Sequence, residues 1–180
     1  MNERIEKVLI SEEQIRERVQ AMGEEISRDY HGKDLLLVGI LKGSVVFMSD
    51  LMRQIKIPLN IDFISVSSYS GGKTSSDGTI TLLKDLAADI RGRHVLIVED
   101  IVDTGSTLYH LQRLLAHRGA ASVEIATLLS KPERRKIDVK VRYIGFEVPD
   151  EFVVGYGLDF NENDRHWPFV GVLKPEYYRA

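Results

Sequence analysis

Apolar and polar positions along this chain follow two alternating rhythms. Ile15, Val19, Met22, Ile26 and Tyr30 recur at helical spacing, and Ser11 with Gln14 forms a capping-box pattern ahead of them. The spacing predicts an opening amphipathic helix. Asp34 to Leu41, DLLLVGIL, is instead a short, nearly continuous apolar run, the pattern of a strand buried on both faces. Ser44 to Ile55 reads as the helix after it, and Asn60 to Val66 as the next strand. Thr79 to Leu83 and Val95 to Val98 read as further strands. From Thr107 to Arg118 the apolar positions Leu108, Leu111, Leu114 and Leu115 return to helical spacing, closed by Gly119. Val123 to Leu129 is another strand, with Tyr143 to Phe146 and Phe152 to Val154 as weaker strand candidates. Strands alternating with helices predict an α/β fold with a mainly parallel sheet. The tail VGVLKPEYYRA carries no pattern that decides between strand and coil.

One stretch breaks the rhythm. SSYSGGKTSSDG, residues 67–78, is too rich in Ser and Gly to pack a core and too short to link two domains, so it reads as a mobile loop. With 180 residues and 43% hydrophobic content, residues 1–180 are expected to form one domain. A net charge of −3 gives no global reason to expect a nucleic-acid or anionic-membrane partner. Zero cysteines exclude disulfides, thiolate metal sites and a cysteine nucleophile. MNERIEKVLI lacks the basic-then-apolar order of a signal peptide, and no apolar run approaches the ~20 residues of a membrane span. The expectation is a cytoplasmic protein. Histidines 31, 94, 110, 117 and 166 show no ligand spacing, and none is assigned to catalysis or metal.

The chemistry concentrates in VLIVEDIVDTGSTLYHLQRLL. In a parallel α/β sheet, ligands bind beyond the carboxyl ends of the strands, where the next helix presents free amides and the positive end of its dipole. Asp103, Thr104, Gly105, Ser106 and Thr107 stand at that place, suited to wrap a phosphate with amides and hydroxyls. The stretch is not a Walker loop, and GYGLDF at Gly155 lacks the third glycine of a dinucleotide fingerprint. Glu99 and Asp100 would repel a phosphate unless they served sugar hydroxyls or a magnesium ion. A sugar phosphate satisfies all the parts. A lone acid here would usually be a helix cap or a loop charge; the ordered string is what points to a site.

VLIVEDIVDTGSTL resembles the phosphoribosyl-pyrophosphate signature of the type I phosphoribosyltransferases. VGILKGSVVFMSDL, DFISVSSY, LLKDL, LLSKPERR and GFEVPDEFVVGYGLDF occur around it in the order of the bacterial hypoxanthine/guanine branch. The resemblance covers nearly the whole chain. It implies a twisted, mainly parallel sheet flanked by helices, with a small hood formed by the terminal segments. It further implies purine salvage, with transfer of 5-phosphoribosyl from phosphoribosyl pyrophosphate to a 6-oxopurine, hypoxanthine or guanine, yielding IMP or GMP and pyrophosphate.

On that resemblance, Glu99 and Asp100 engage the ribose hydroxyls and Mg2+, and residues 103–107 hold the 5-phosphate. Asp103 is also the proton acceptor at the purine imidazole nitrogen, a role suited to a positioned carboxylate in a closed site. Leu41, Lys42 and Gly43 match a pyrophosphate loop with a cis Leu41–Lys42 bond, and many relatives carry Arg where this chain has Lys42. Arg165 is matched to pyrophosphate binding. Lys131 is the donor to the purine 6-oxo group, and Pro132 biases it towards an extended conformation. Phe152 stacks on the base with Leu158 on the other face, the Val153 backbone reads the ring edge, and Ile101 and Asp159 complete the base site. Asp159 is also associated with magnesium. Ser68 and Tyr69 open a lid that keeps water from the cationic sugar. Arg134, Arg135 and Lys136 read as an exposed basic loop. A homodimer or homotetramer is implied by the resemblance alone. Related chains also include RNA-binding regulators, but the charge of −3 and the matches at Lys131 and Phe152 argue against that reading.

Overall fold

The computed structural model describes residues 3–68 and 80–179. Strand β1 (Ile5–Ile10) leads into helix α1 (Glu12–Asp29), followed by β2 (Leu35–Ile40), α2 (Val45–Gln54), β3 (Leu59–Ser68) and β4 (Ile80–Lys84). Then come β5 (His94–Val102), α3 (Ser106–His117), β6 (Ser122–Ser130), β7 (Tyr143–Glu147), β8 (Val153–Val154) and β9 (Val170–Leu173). The central sheet has the order β4-β3-β2-β5-β6-β7, parallel throughout except for β4, which returns antiparallel on β3. Among the described residues, no helix is long and apolar enough to cross a membrane.

The apolar runs explain the layers. Every residue of β2 is buried, and successive side chains point to opposite faces. Leu35 and Leu37 join the core under α1 and α2, with Ile15, Met22, Phe47 and Leu51. Leu36 and Val38 pack on the other face with Leu108, Leu111 and Leu115 of α3. Helix α1 starts where its capping box predicts. The Ser11 amide donates to Gln14 Oε1 at 2.8 Å, and the Gln14 amide donates to Ser11 Oγ at 3.2 Å.

The terminal segments pair far from their neighbours in sequence. β1, β9 and β8 form a separate three-stranded antiparallel sheet, with Ile5 against Leu173 and Val153 against Val172. The pattern of MNERIEKVLI does not announce β1, because only Ile5 and Ile10 of the strand are buried and its partner lies at the other end of the chain.

The order of strands sets where a ligand can sit. The chain runs from β2 outward to β3 and β4, then crosses to the opposite side of β2 with β5, and continues to β6 and β7. Connections leaving β2 and β5 therefore part company at the carboxyl end of the sheet, which opens a crevice there. The sequence pattern ended β5 at Val98. The strand continues to Val102, with Glu99 opposite Thr127 and Ile101 opposite Leu129. The two acids are thus held by the ladder rather than carried on a loop. Of the loop and lid expected at 67–78, Ser67 and Ser68 end β3; the Ser68 side chain and Tyr69 onward to Gly78 lie outside the described residues.

Candidate active site

A cavity of about 340 Å³ fills the crevice between β2 and β5. Leu41, Lys42 and Gly43 line it from the β2 side, Glu99 to Gly105 and Thr107 from β5 and α3, and Asp159 and Arg165 from the following turn. The Leu41–Lys42 peptide bond is cis. Ser106 of the cradle, and Lys131, Phe152, Val153 and Leu158 of the base site, are not on its wall. Val66 and Leu108 are wall residues without a sequence signal of their own.

Two glycines set the distances between these elements. A side chain at Gly43 would run into the Asp100 carboxylate, and one at Gly157, where φ is +101°, would run into the Gly43 carbonyl. The turn after β8 can therefore lie flat on the 41–43 loop, bringing Asp159 and Arg165 to the carboxylates of β5. The Arg165 guanidinium donates to the Gly157 carbonyl at 2.8 Å and pairs with Asp159 at 3.0 Å, while its Nε is buried without a partner. Lys42 leans outward to Glu162 at 2.7 Å, with both side chains largely exposed.

Helix α3 starts at the cavity. Its N-cap is Gly105, with φ of +85° and no side chain to cap the first amides. A Cβ at Gly105 would lie 2.8 Å from the Ile137 carbonyl oxygen, so the turn needs glycine on grounds of space as well as φ. Thr104 Oγ1 reaches the Ser106 amide at a long 3.4 Å. Uncapped amides at the positive end of a helix form an anion site.

The acid pair carries the opposite charge. Burial pushes the Glu99 carboxyl well above its ordinary range, and the adjacent Asp100 adds to the shift. Asp100 is also raised by burial, although the Glu99 side chain, backbone amides and the charge of Arg165 oppose this. Neighbouring carboxylates provide hard oxygen donors for a cation or hydroxyls. No cluster of three or more candidate ligands is formed among the described residues. Magnesium is typically held by one or two carboxylates together with substrate oxygens, and Glu99 and Asp100 are the residues that would hold it here.

Lys131 is buried, and its ammonium donates to the Glu151 carbonyl at 2.7 Å with Asp150 at 3.6 Å. Phe152 stacks on Tyr178 with ring centroids 4.8 Å apart and meets Phe160 edge-on at 5.5 Å. Val153 and Leu158 are buried. Asp103 accepts a bond from Arg134 Nε at 2.5 Å. Arg134, Asp150 and Tyr178 carried no sequence signal for a site: the first sits in a run of like charges and the last in a tail without pattern.

A larger hollow of about 520 Å³ lies between α1, α2 and residues 156–168, and shares Arg165 with the first. It contains neither the strand-end acids nor the helix-terminal loop, so the chemistry belongs to the smaller cavity.

An open parallel sheet with acids and a helix-borne anion cradle at its topological switch defines an α/β enzyme that handles a phosphorylated sugar. Residues 10–161 match the family model described as a phosphoribosyl transferase domain. The chain is 52% identical over 178 residues to the hypoxanthine-guanine phosphoribosyltransferase of Lactococcus lactis, covering 99% of this chain and 96% of that one. A crystal structure of a hypoxanthine phosphoribosyltransferase from Staphylococcus aureus superposes with a TM-score of 0.93 at 50% identity, covering 97% and 94% of the two chains. The Trypanosoma cruzi hypoxanthine phosphoribosyl transferase superposes with a TM-score of 0.93 at 40% identity, covering 99% and 96%. The chain belongs to the hypoxanthine-guanine phosphoribosyltransferase family, transferases of purine salvage.

Proposed function

We propose that this chain transfers the 5-phosphoribosyl group from phosphoribosyl pyrophosphate to hypoxanthine or guanine, giving IMP or GMP and pyrophosphate. The observation that carries the reading is the meeting of Glu99 and Asp100 with the uncapped start of α3 in one cavity. A ribose 5-phosphate supplies hydroxyls for the former and an anion for the latter. Residues 103–107 hold the phosphate, and Leu41, Lys42 and Gly43 with Arg165 receive the pyrophosphate. Lys131 donates to the purine 6-oxo group. Phe152 and Leu158 sandwich the ring, the Val153 backbone reads its edge, and Ile101 and Asp159 close the base site.

In the reaction an imidazole nitrogen of the purine forms a bond to the anomeric carbon while the bond to pyrophosphate breaks. The ring proton passes to Asp103. Glu99 and Asp100 would hold Mg2+, with Asp159 nearby; the ion supplies charge neutralisation for the departing pyrophosphate. We assign the work to one domain spanning 1–180, in the cytoplasm, as a homodimer or homotetramer; this last part rests on the family alone.

The test is IMP formation from hypoxanthine and phosphoribosyl pyrophosphate with magnesium. Wild-type protein should turn over, and Asp103→Asn should fold normally yet lose about 10²–10⁴-fold in kcat, the usual contribution of a general base. Wild-type kcat in a folded Asp103→Asn variant would refute the role of Asp103.

A further inference from the structure

Arg134 sits in KPERRK, a run that looks like solvated charge, yet it makes the most specific contact of any side chain to Asp103. Its Nε donates to Asp103 Oδ1 at 2.5 Å, and its other arm lies 3.5 Å from Asp150 Oδ1. That same oxygen of Asp150 lies 3.6 Å from the Lys131 ammonium. Four charges alternate in sign along one line: Asp103, Arg134, Asp150, Lys131. We propose that Arg134 is a positioning residue for the transfer, holding the Asp103 carboxylate in register with the Lys131 ammonium through the shared carboxylate of Asp150. The inference rests on the reading of Asp103 as proton acceptor.

Three observations support it. First, the backbone fixes Arg134 to its neighbours. The single 3-10 turn Pro132–Arg134 bonds the Arg134 amide to the Lys131 carbonyl at 3.2 Å. The amides of Lys136 and Ile137 both donate to the Thr104 carbonyl, at 3.0 and 3.1 Å. The Lys131 amide donates to the Val102 carbonyl at 2.9 Å, so the segment is tied to the end of β5 before Arg134 and to the phosphate loop after it, and the arginine is not on a free loop.

Second, the pairing geometry suits a base. A carboxylate has two oxygens; Arg134 holds one in place while the second remains to accept a proton. When the purine proton arrives and Asp103 becomes neutral, the guanidinium keeps Asp150 as its counter-ion. Arg134 then need not be left with an unpaired charge at any stage of the transfer.

Third, the contact is a weak candidate for a stability device. The side chains of Arg134, Asp103 and Asp150 are 46, 44 and 45% exposed. Exposed ion pairs contribute little to folding, typically below about 1 kcal/mol. Misplacing a reacting group by an ångström, in contrast, can cost about a hundredfold in rate.

The experiment compares wild type, Arg134→Ala and Arg134→Lys, each with Asp103 intact and with Asp103→Asn, in full-length protein with hypoxanthine and phosphoribosyl pyrophosphate. Arg134→Ala is expected to lower kcat by about tenfold to a hundredfold, with little change in the KM for phosphoribosyl pyrophosphate. Arg134→Lys should recover part of that loss, since it restores the charge but not the planar fork. The thermal midpoint should stay close to wild type. In the Asp103→Asn background, removing Arg134 should cost nothing further, because the residue acts through Asp103. A kcat within about twofold of wild type in Arg134→Ala would overturn the inference, as would an equal loss in both backgrounds. Full activity of Asp103→Asn alone would instead overturn the reading on which it rests, so the two failures are distinguishable.

Discussion

The backbone of Gly43 lies against the side chain of Asp100, so close that a methyl group at Gly43 would overlap the carboxylate oxygen Oδ2. Gly43 belongs to the loop after β2 and Asp100 to the end of β5, and both line the cavity. A Cβ at Gly157 would run into the Gly43 carbonyl oxygen, so the loop also packs closely against that turn. The Asp100 carboxylate, the outer end of a side chain, moves more readily than the backbone of the loop.

Gly43→Ala is accordingly expected to displace the Asp100 carboxylate and lower kcat/KM for phosphoribosyl pyrophosphate by at least about tenfold. The core is not involved, so the thermal midpoint should fall by only a few degrees. Steady-state kinetics alongside a melting curve checks both. Near wild-type kinetics would mean that the loop moves instead.

Asp62 provides a test of the sheet that carries the site. It stands on β3 and accepts bonds from the amides of Ala87 and Ala88 at 2.8 and 2.9 Å, tying down the chain after β4. Burial pushes its carboxyl up, but the amides of Ala88, Phe63 and Ala87 and the charge of Lys84 outweigh this and hold it below its ordinary value. A lowered folded value means that the contribution to stability is present above the ordinary carboxylate range. It is lost as pH falls through the lowered value. Asp62→Ala should destabilise the protein by about 1–3 kcal/mol at neutral pH, the usual net contribution of hydrogen bonds to a charged group. The gap from wild type should narrow as pH falls below about 4. Urea unfolding at several pH values measures this; a gap that widens in acid would contradict the assignment.

The tail reaches the ring proposed to stack on the base. Tyr178 lies stacked on Phe152, with the ring planes 20° apart. An aromatic pair of this kind contributes about 0.5–1.5 kcal/mol beyond its buried area. Tyr178→Ala should free the Phe152 ring and raise the KM for hypoxanthine by about twofold to tenfold, with kcat at saturation largely kept. A change confined to kcat would show that the tail acts elsewhere.

Local pattern carried some of this architecture and not the rest. The buried strands and amphipathic helices were legible because each pattern is local: β2 declares itself in six apolar residues, and α1 in a capping box followed by five spaced side chains. Glu99, Asp100 and the loop from Asp103 could be placed together from the sequence because they are contiguous and stand where a strand meets a helix, and they do share one cavity wall. β1 was not, since its ladder partner is β9. Nor was the extension of β5 through Glu99 and Asp100, because the pairing with β6 that holds them is not visible in their own composition. Arg134 differs from Arg135 only in three dimensions. The first pairs with Asp103, while the second turns inward to Ser130 at 2.9 Å and packs beneath Gly105.

The central claim is that the cavity binds a phosphorylated ribose and that Lys131 reads a 6-oxo group beside it. A buried ammonium already oriented by the Glu151 carbonyl can donate to an oxo oxygen, whereas an amino group would leave both partners without an acceptor. The direct measurement offers hypoxanthine, guanine, xanthine and adenine separately, with phosphoribosyl pyrophosphate and magnesium, and follows nucleotide formation. Turnover with hypoxanthine and guanine but not adenine is the predicted result. Efficient use of adenine would contradict the role of Lys131, and no turnover with any base would contradict the account as a whole.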